Sequence, residues 1–299
     1  MGRRDKSGQF LGASIPAKLS FAIAAVAALL ALSPAVRASD VVNPGGGTLA
    51  QVVDGGGTYT IITLVNLDNV SIPYKIFFFA DSGSTLTLNT SAGTNSVFSG
   101  TLPVGGSTII RTNGTDPGIS QGYAVVTSAS NGCYGYGQGD GNCQIGGNAV
   151  FGITLNGQTL ETTTPLDTGE ASVFAIPFDA TTSNTGVAIA NSLGDNAIQF
   201  AAAQAANLTF KFFDQSGVNF YTSTMQLANG QHTAFLLASQ FPQIAGQTGV
   251  MVIGSADASK NPYYIKALGL RLNLAGTTYT SIAPLVPCYW YPNRGCQQY

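Results

Sequence analysis

Residues able to do chemistry are few in this chain of 299 residues, and they are scattered. The single histidine, His232, stands in "NGQHTAF". A serine hydrolase needs such a base beside an activated nucleophile, but no Gly-x-Ser-x-Gly elbow occurs. His232 lies in a turn that leads into an apolar segment, so a local hydrogen bond is the role expected of it. Zinc sites draw on two or three histidines or on cysteines, which gives single-histidine metal catalysis no support. Glycoside cleavage takes paired carboxylates, yet the only glutamates, Glu161 and Glu170, fall in "ETTTPLDTGEAS", which reads as a link. Calcium needs clustered oxygens. Asp140 in "GDGN" and Asp195 in "SLGD" bring one carboxylate each and do not match a D-x-D-x-D-G loop. The glycine runs "NPGGGT" and "VDGGGT" lack the Lys-Ser/Thr of a phosphate loop and read as turns before strands. No catalytic residue, metal ligand or cofactor is assigned.

Two cysteine-bounded segments are candidates for binding instead. "CYGYGQGDGNC" holds Tyr134, Tyr136 and Asp140 between Cys133 and Cys143. "CYWYPNRGC" holds Tyr289, Trp290, the only tryptophan, and Tyr291 between Cys288 and Cys296. Four cysteines in two close pairs read as two local disulfides in an oxidising compartment. Zinc is the alternative, although gaps of nine and seven residues match no usual ligand spacing. Tyrosine and tryptophan dominate binding hot spots, so a carbohydrate or a surface protein is the partner expected for either segment. The plainer readings are a pinned hairpin for the first and a closed tail packing its aromatics on the preceding domain for the second.

The N-terminus supplies the oxidising compartment. Arg3, Arg4, Lys6 and Lys18 precede the apolar run Leu19–Leu32, and "SPAVRASD" follows with small residues at Val36 and Ala38. A charged head, a short apolar centre and a small-residue exit mark a secretory signal. Fourteen apolar residues are also short of the roughly 20 that span a bilayer. Residues 1–38 are therefore read as a signal peptide, with an uncleaved anchor as the alternative. The protein is expected outside the cell or on its surface, with no membrane span in the mature chain. Removing residues 1–38 takes five of twelve basic residues and one of fourteen acidic, leaving seven against thirteen, a charge near −6. Nucleic-acid binding calls for a basic face, so no nucleic-acid partner is expected.

The elements that must position these residues come in two copies. "AQVVDGGGTYTIITLVN" (50–66) is matched 125 residues on by "AIPFDATTSNTGVAIAN" (175–191). "FADSG" at Phe79 pairs with "FDQSG" at Phe213, and "LPVGGSTII" at Leu102 with "LANGQHTAF" at Leu227. "QGYAVVTS" at Gln121 pairs with "TGVMVIGS" at Thr248, and "FGITLNGQ" at Phe151 with "LGLRLNLA" at Leu268. Asp54 and Asp179 are equivalent in this scheme, and His232 stands where Ser107 does. The blocks are rich in β-branched and aromatic residues separated by turn residues, which reads as strands. Asp81-Ser82-Gly83 and Gln215-Ser216-Gly217 read as hairpin turns with glycine at positive φ. Only "AIQFAAAQAA" and "TAFLLASQFPQIAG" are helix-capable, the second ending before Pro242.

The expected fold is all-β: two tandem Ig-like β-sandwich modules, residues 39–166 and 167–287, followed by a disulfide-closed tail, residues 288–299. "GGGTYTIITLVN", "NGQHTAFLLASQFPQIAGQTG", "ALGLRLN" and "TYTSIAPL" resemble tandem β-sandwich modules of secreted proteins from soil bacteria. The resemblance implies a sandwich and an extracytoplasmic location. It implies no activity. The expected function is structural or adhesion-like binding without catalysis, from modules stacked into a short rod. An extracellular polysaccharide hydrolase with a carboxylate site is the alternative.

Overall fold

The structure, a computed structural model, describes residues 46–298 apart from 129–144, 156, 170, 193–203, 274–277, 287 and 292–294. The side chains of 155 and of 288–298 are also outside the description.

The fold is an all-β sandwich. Its first half comprises β1 (Gly47–Asp54), β2 (Thr58–Asn66), β3 (Ile72–Ala80), β4 (Leu88–Thr90), β5 (Gly93–Asn95), β6 (Val97–Leu102), β7 (Ser107–Arg111), β8 (Ser120–Ser128), β9 (Ile145–Leu155) and β10 (Gln158–Pro165). The second comprises β11 (Val173–Asp179), β12 (Ser183–Ala190), β13 (Ala206–Phe213), β14 (Asn219–Leu227), β15 (His232–Leu236), β16 (Thr248–Ala256), β17 (Lys266–Asn273) and β18 (Tyr279–Ile282). Sheets β1-β8-β3-β6 and β10-β9-β2-β7 in the first half correspond strand for strand to β11-β16-β13-β14 and β18-β17-β12-β15 in the second. All pairs are antiparallel. Among the described residues there is one short helix, α1 (Leu237–Gln240), which ends before Pro242, where a 3₁₀ turn begins.

Alternation sends one face of each strand into a core. Ile62, Leu64, Ile76, Phe78, Val126 and Phe151 meet in the first, and Ile176, Val187, Ile189, Phe210, Phe212 and Ile253 in the second. Gly83 and Gly217 hold φ of 82° and 80° and close the turns after β3 and β13, a conformation cheap only for glycine. Equivalent asparagines clamp each half. Asn66 Nδ2 donates to the carbonyls of Val70, Leu102 and Pro103, and Asn191 Nδ2 to those of Gln204, Leu227 and Ala228.

Three of the five matched blocks hold in the strand register, and the first holds over β2 but not over β1, where Val52 rather than Val53 matches Phe178. The fifth slips. Thr60 and Thr185 are equivalent, and they face Phe151 and Arg271, so Phe151 matches Arg271 rather than Leu268. An odd slip turns a side chain to the other face of the sheet. Phe151 accordingly lies in the core while Leu268 faces outward from its own sandwich. Glu161 belongs to β10 rather than to a link.

Candidate functional site

The outward face of β12, β15 and β17 is where the two halves meet. β1 lies across β12 and β17, and β15 approaches β8. Ala188 and Leu268 join the buried cluster of the first half, with Ala234, Leu270 and Tyr279 packed against it. Ala188 and Ala234, packed against that cluster, are small and let the sheets come close. The halves therefore join by their sheet faces rather than stacking end to end as a rod.

His232 is the centre of this joint. It opens β15 and its side chain is fully buried. Its Nδ1 lies 2.7 Å from Asp81 Oδ1, across 151 residues of sequence, in the turn after β3. The expectation of a local hydrogen bond is thus corrected: the partner comes from the other half. Gln121 Nε2 donates to the second Asp81 oxygen at 2.7 Å, the His232 amide donates to the Asp81 carbonyl, and the Tyr123 ring stacks on the imidazole. Burial works against the charge on Asp81, but hydrogen bonds from His232 and Gln121 outweigh it and hold the carboxyl below its ordinary value. With that carboxylate ionised, Nδ1 carries the imidazole proton. Nε2 is buried with no partner among the described residues.

A second polar contact closes the other side of the joint. Lys266, buried at the start of β17, donates from Nζ to the Gly169 carbonyl and lies 3.5 Å from Asp167 Oδ1. Thr48 and Asp167 exchange backbone hydrogen bonds, which ties β1 to the connecting segment. Beside them is a cavity of about 340 Å³ lined mainly by apolar groups, among them Leu166, Phe174, Leu268, Ile282 and Val286.

On the outward face of β10-β9-β2-β7, Tyr59 lies over Gly152, its hydroxyl donates to Glu161, and the Arg111 guanidinium sits 4.3 Å from its ring centre. Burial, then the hydrogen bond with Glu161, raises the Tyr59 phenol above its ordinary value. At the far end of the second half, Asp179 and Asp214 line an open groove with Arg271. The hydroxyls of Thr181 and Thr182 hold Asp179 well below the carboxylate range, and the Val218 amide with the Ser216 hydroxyl lowers Asp214. Asp54, matched to Asp179 in sequence, instead accepts from the Gly114 amide.

Of the residues singled out from sequence, Cys133, Tyr134, Tyr136, Asp140 and Cys143 lie outside the described residues, as do Glu170 and Asp195. Tyr289, Trp290 and Tyr291 fall in β19 (Cys288–Tyr291), which pairs with β20 (Gly295–Gln298). In that ribbon Cys288 faces Gln298 and Trp290 faces Cys296, so the two cysteines sit two positions apart in register. Sequence reasoning missed the joint. The one signal for Lys266 was a lone charge in the run "YYIKALGL".

Fold and geometry define an all-β sandwich protein whose two halves are fastened through buried polar pairs. No protein-family model matches the chain, and no curated protein sequence matches it. Among solved structures it has a distant likeness to Bacteroides uniformis beta-glucuronidase 2 covalently bound to cyclophellitol-6-carboxylate aziridine. Identity is 11%, the TM-score is 0.17, and the match covers 85% of this chain and 28% of that one. A likeness at that TM-score carries no argument. No helix among the described residues is long and apolar enough to cross a membrane.

Proposed function

We propose that the chain is a secreted or cell-surface protein with a structural or adhesion-like binding role and no catalysis of its own. One observation carries the reading. The only histidine and a buried lysine, the side chains best suited to acid–base work, are both committed to fastening the two halves together. Two sandwich halves joined by an apolar face and two polar locks suit the role of a presenting scaffold. The segments proposed to bind are the Cys133–Cys143 loop with Tyr134, Tyr136 and Asp140, and the tail with Tyr289, Trp290 and Tyr291, each closed by its own disulfide. Their proposed partners are carbohydrate or surface protein.

The hydrolase alternative draws less support. A glycosidase keeps one carboxylic acid protonated by raising its pKa, whereas both carboxylates in the open groove, Asp179 and Asp214, are shifted down. The test is a binding screen against glycans and cell-surface extracts, run beside a Tyr134→Ala/Tyr136→Ala variant. Binding lost in the variant supports the loop, and undiminished binding removes it. Release of sugar from any glycan in the same screen would overturn the non-catalytic reading.

A further inference from the structure

Equivalent loops of the two halves carry opposite chemistry, and hydrogen bonds fix the equivalence residue by residue. The Asn66 side chain donates to the carbonyls of Val70, Leu102 and Pro103, and the Asn191 side chain to those of Gln204, Leu227 and Ala228. Val70 therefore corresponds to Gln204, and Pro103 to Ala228. The Asn66 amide donates to the Gly106 carbonyl as the Asn191 amide does to Gln231. Between these points Gly105 and Gly230 hold φ of 64° and 74°. Leu67 then stands where Ser192 does, and Val104 where Asn229 does. Three apolar residues of one half are replaced by three polar residues in the other.

Their exposure runs opposite to what folding alone would select. Leu67, Val70 and Val104 are 63%, 49% and 58% exposed. Their polar counterparts are buried or half-buried. Ser192 Oγ lies 3.1 Å from Thr48 Oγ1, and the carbonyls of Asn229 and Gly230 lie against Gly83, so these loops meet the first half. The half that covers its loops keeps them polar, and the half that leaves them in water makes them apolar. The clamp needs no apolar residue, since Asn191 holds the same geometry without one. Single exposed apolar residues are ordinary, but here three stand on two loops drawn together by one side chain, which marks an interaction site. Leu67 is also accommodated deliberately: a Cβ added to Gly146 would come within 2.7 Å of its Cδ1. This is the end at which β8 stops and β9 starts, the strands that bracket residues 129–144.

We propose that Leu67, Val70 and Val104 form a docking surface for an apolar patch on a partner protein. This rests on the binding role proposed above and selects protein over carbohydrate as the partner at this end. Aliphatic tips offer a sugar neither a ring face nor a hydrogen-bonding group. The sole charge in the two loops is Asp68, and without a basic residue nothing draws them to anionic lipid. A protein suits them, because the clamp fixes their spacing in advance and preorganised apolar anchors favour a shaped partner. The molecule holds a precedent: in the second half the equivalent loops already meet a protein surface, polar against polar.

The test uses Ala38–Tyr299, a compact unit of the chain. Its variant is Leu67→Ser/Val70→Gln/Val104→Asn, which carries the side chains that the same clamp holds in the second half. The variant should keep its thermal midpoint within about 4 °C of the wild type. A larger fall would make these side chains part of the fold and overturn the proposal. Both proteins, immobilised, are then exposed to a cell-surface protein extract, to the same extract after protease digestion, to a glycan panel and to phosphatidylcholine vesicles. The wild type should retain a protein from the intact extract and none from the digested one. That protein, purified, should titrate to one-to-one saturation and bind the variant at least about tenfold more weakly. A protein held equally by both, or glycan alone held equally by both, overturns the docking surface and leaves the binding role standing. Glycan or vesicle binding that the variant loses, or self-association in sedimentation that it loses, overturns the protein partner. No retention of any kind overturns the binding role as well.

Discussion

His232→Ser is the sharpest probe of the joint, because the first half carries serine, Ser107, at the equivalent strand position. The substitution removes the Nδ1 hydrogen bond to Asp81 and the ring stacked on Tyr123. A hydrogen bond to a charged partner contributes about 1.5–3 kcal/mol. The Asp81 side chain is 43% exposed, so water recovers part of that loss and the lower half of the range applies. The void left beside Tyr123 adds about 1 kcal/mol. Together these give about 2.5–3 kcal/mol, which for a cooperative unit of this size lowers Tm by roughly 5–12 °C. The assay is thermal and urea unfolding of wild type, His232→Ser, Asp81→Asn and the double variant. The cycle should return a coupling of about 1–2 kcal/mol. Asp81 adds a pH signature. Its folded pKa lies below the ordinary 3.8, so its contribution is complete above that value and fades as pH falls through the lower folded one. Wild type and Asp81→Asn should therefore differ by a constant amount near neutrality and converge in acid. A neutral His232→Ser, a coupling near zero, or a gap that widens in acid would refute the account of the joint.

Three further outcomes follow from buried polar contacts. Asn66→Ala and Asn191→Ala each strip donors from three carbonyls, so each should cost about 2–3 kcal/mol by urea unfolding, with the two losses alike. Lys266→Ala leaves the Gly169 carbonyl without its donor and a void beside the cavity, and should cost about 3 kcal/mol. Lys266→Met, which keeps the volume, should recover much of that, and equal losses would show that charge rather than packing governs the site. Gly152→Val puts a side chain where the Tyr59 ring lies and breaks its bond to Glu161, with an expected loss of about 1–3 kcal/mol in thermal unfolding.

What the sequence disclosed depended on the range of the interaction involved. Strand character, the turns at Gly83 and Gly217 and the end of α1 before Pro242 are local, and local chemistry reveals them. The duplication was legible because core positions must keep their apolar type in both copies, as at Ile62 and Val187 or Ile110 and Phe235. Block matching failed at Phe151 because an apolar, glycine-containing strand resembles its partner in more than one register, and only pairing with Thr60 or Thr185 distinguishes them. The His232–Asp81 contact spans 151 residues and joins two halves that the repeat presents as equivalent, so no spacing rule points to it. Lys266 was hidden for the same reason: its partners lie in the segment connecting the halves.

The joint also explains where the two halves differ. Inward positions must preserve a core and stay apolar, whereas outward positions are constrained only by what covers them. Thr63 and Arg111 on the first half's outer face become Ala188 and Leu236 at equivalent positions of the second, and Ser107 becomes His232. The exchanges named run from polar or large toward small and apolar, apart from His232 and from Lys266, which stands where Gly146 does, each of which meets a carboxylate. A face remade in this way buries surface at little cost in desolvation, while the His232–Asp81 pair fixes register that apolar contact alone leaves loose. The Asp81 pair should therefore set how the halves align more than how strongly they adhere. Asp81→Asn is then expected to broaden the distribution of half-to-half distances in double electron–electron resonance, with labels on the exposed positions Ser99 and Thr224. An unchanged distribution beside a full loss of stability would make the pair a simple fastening.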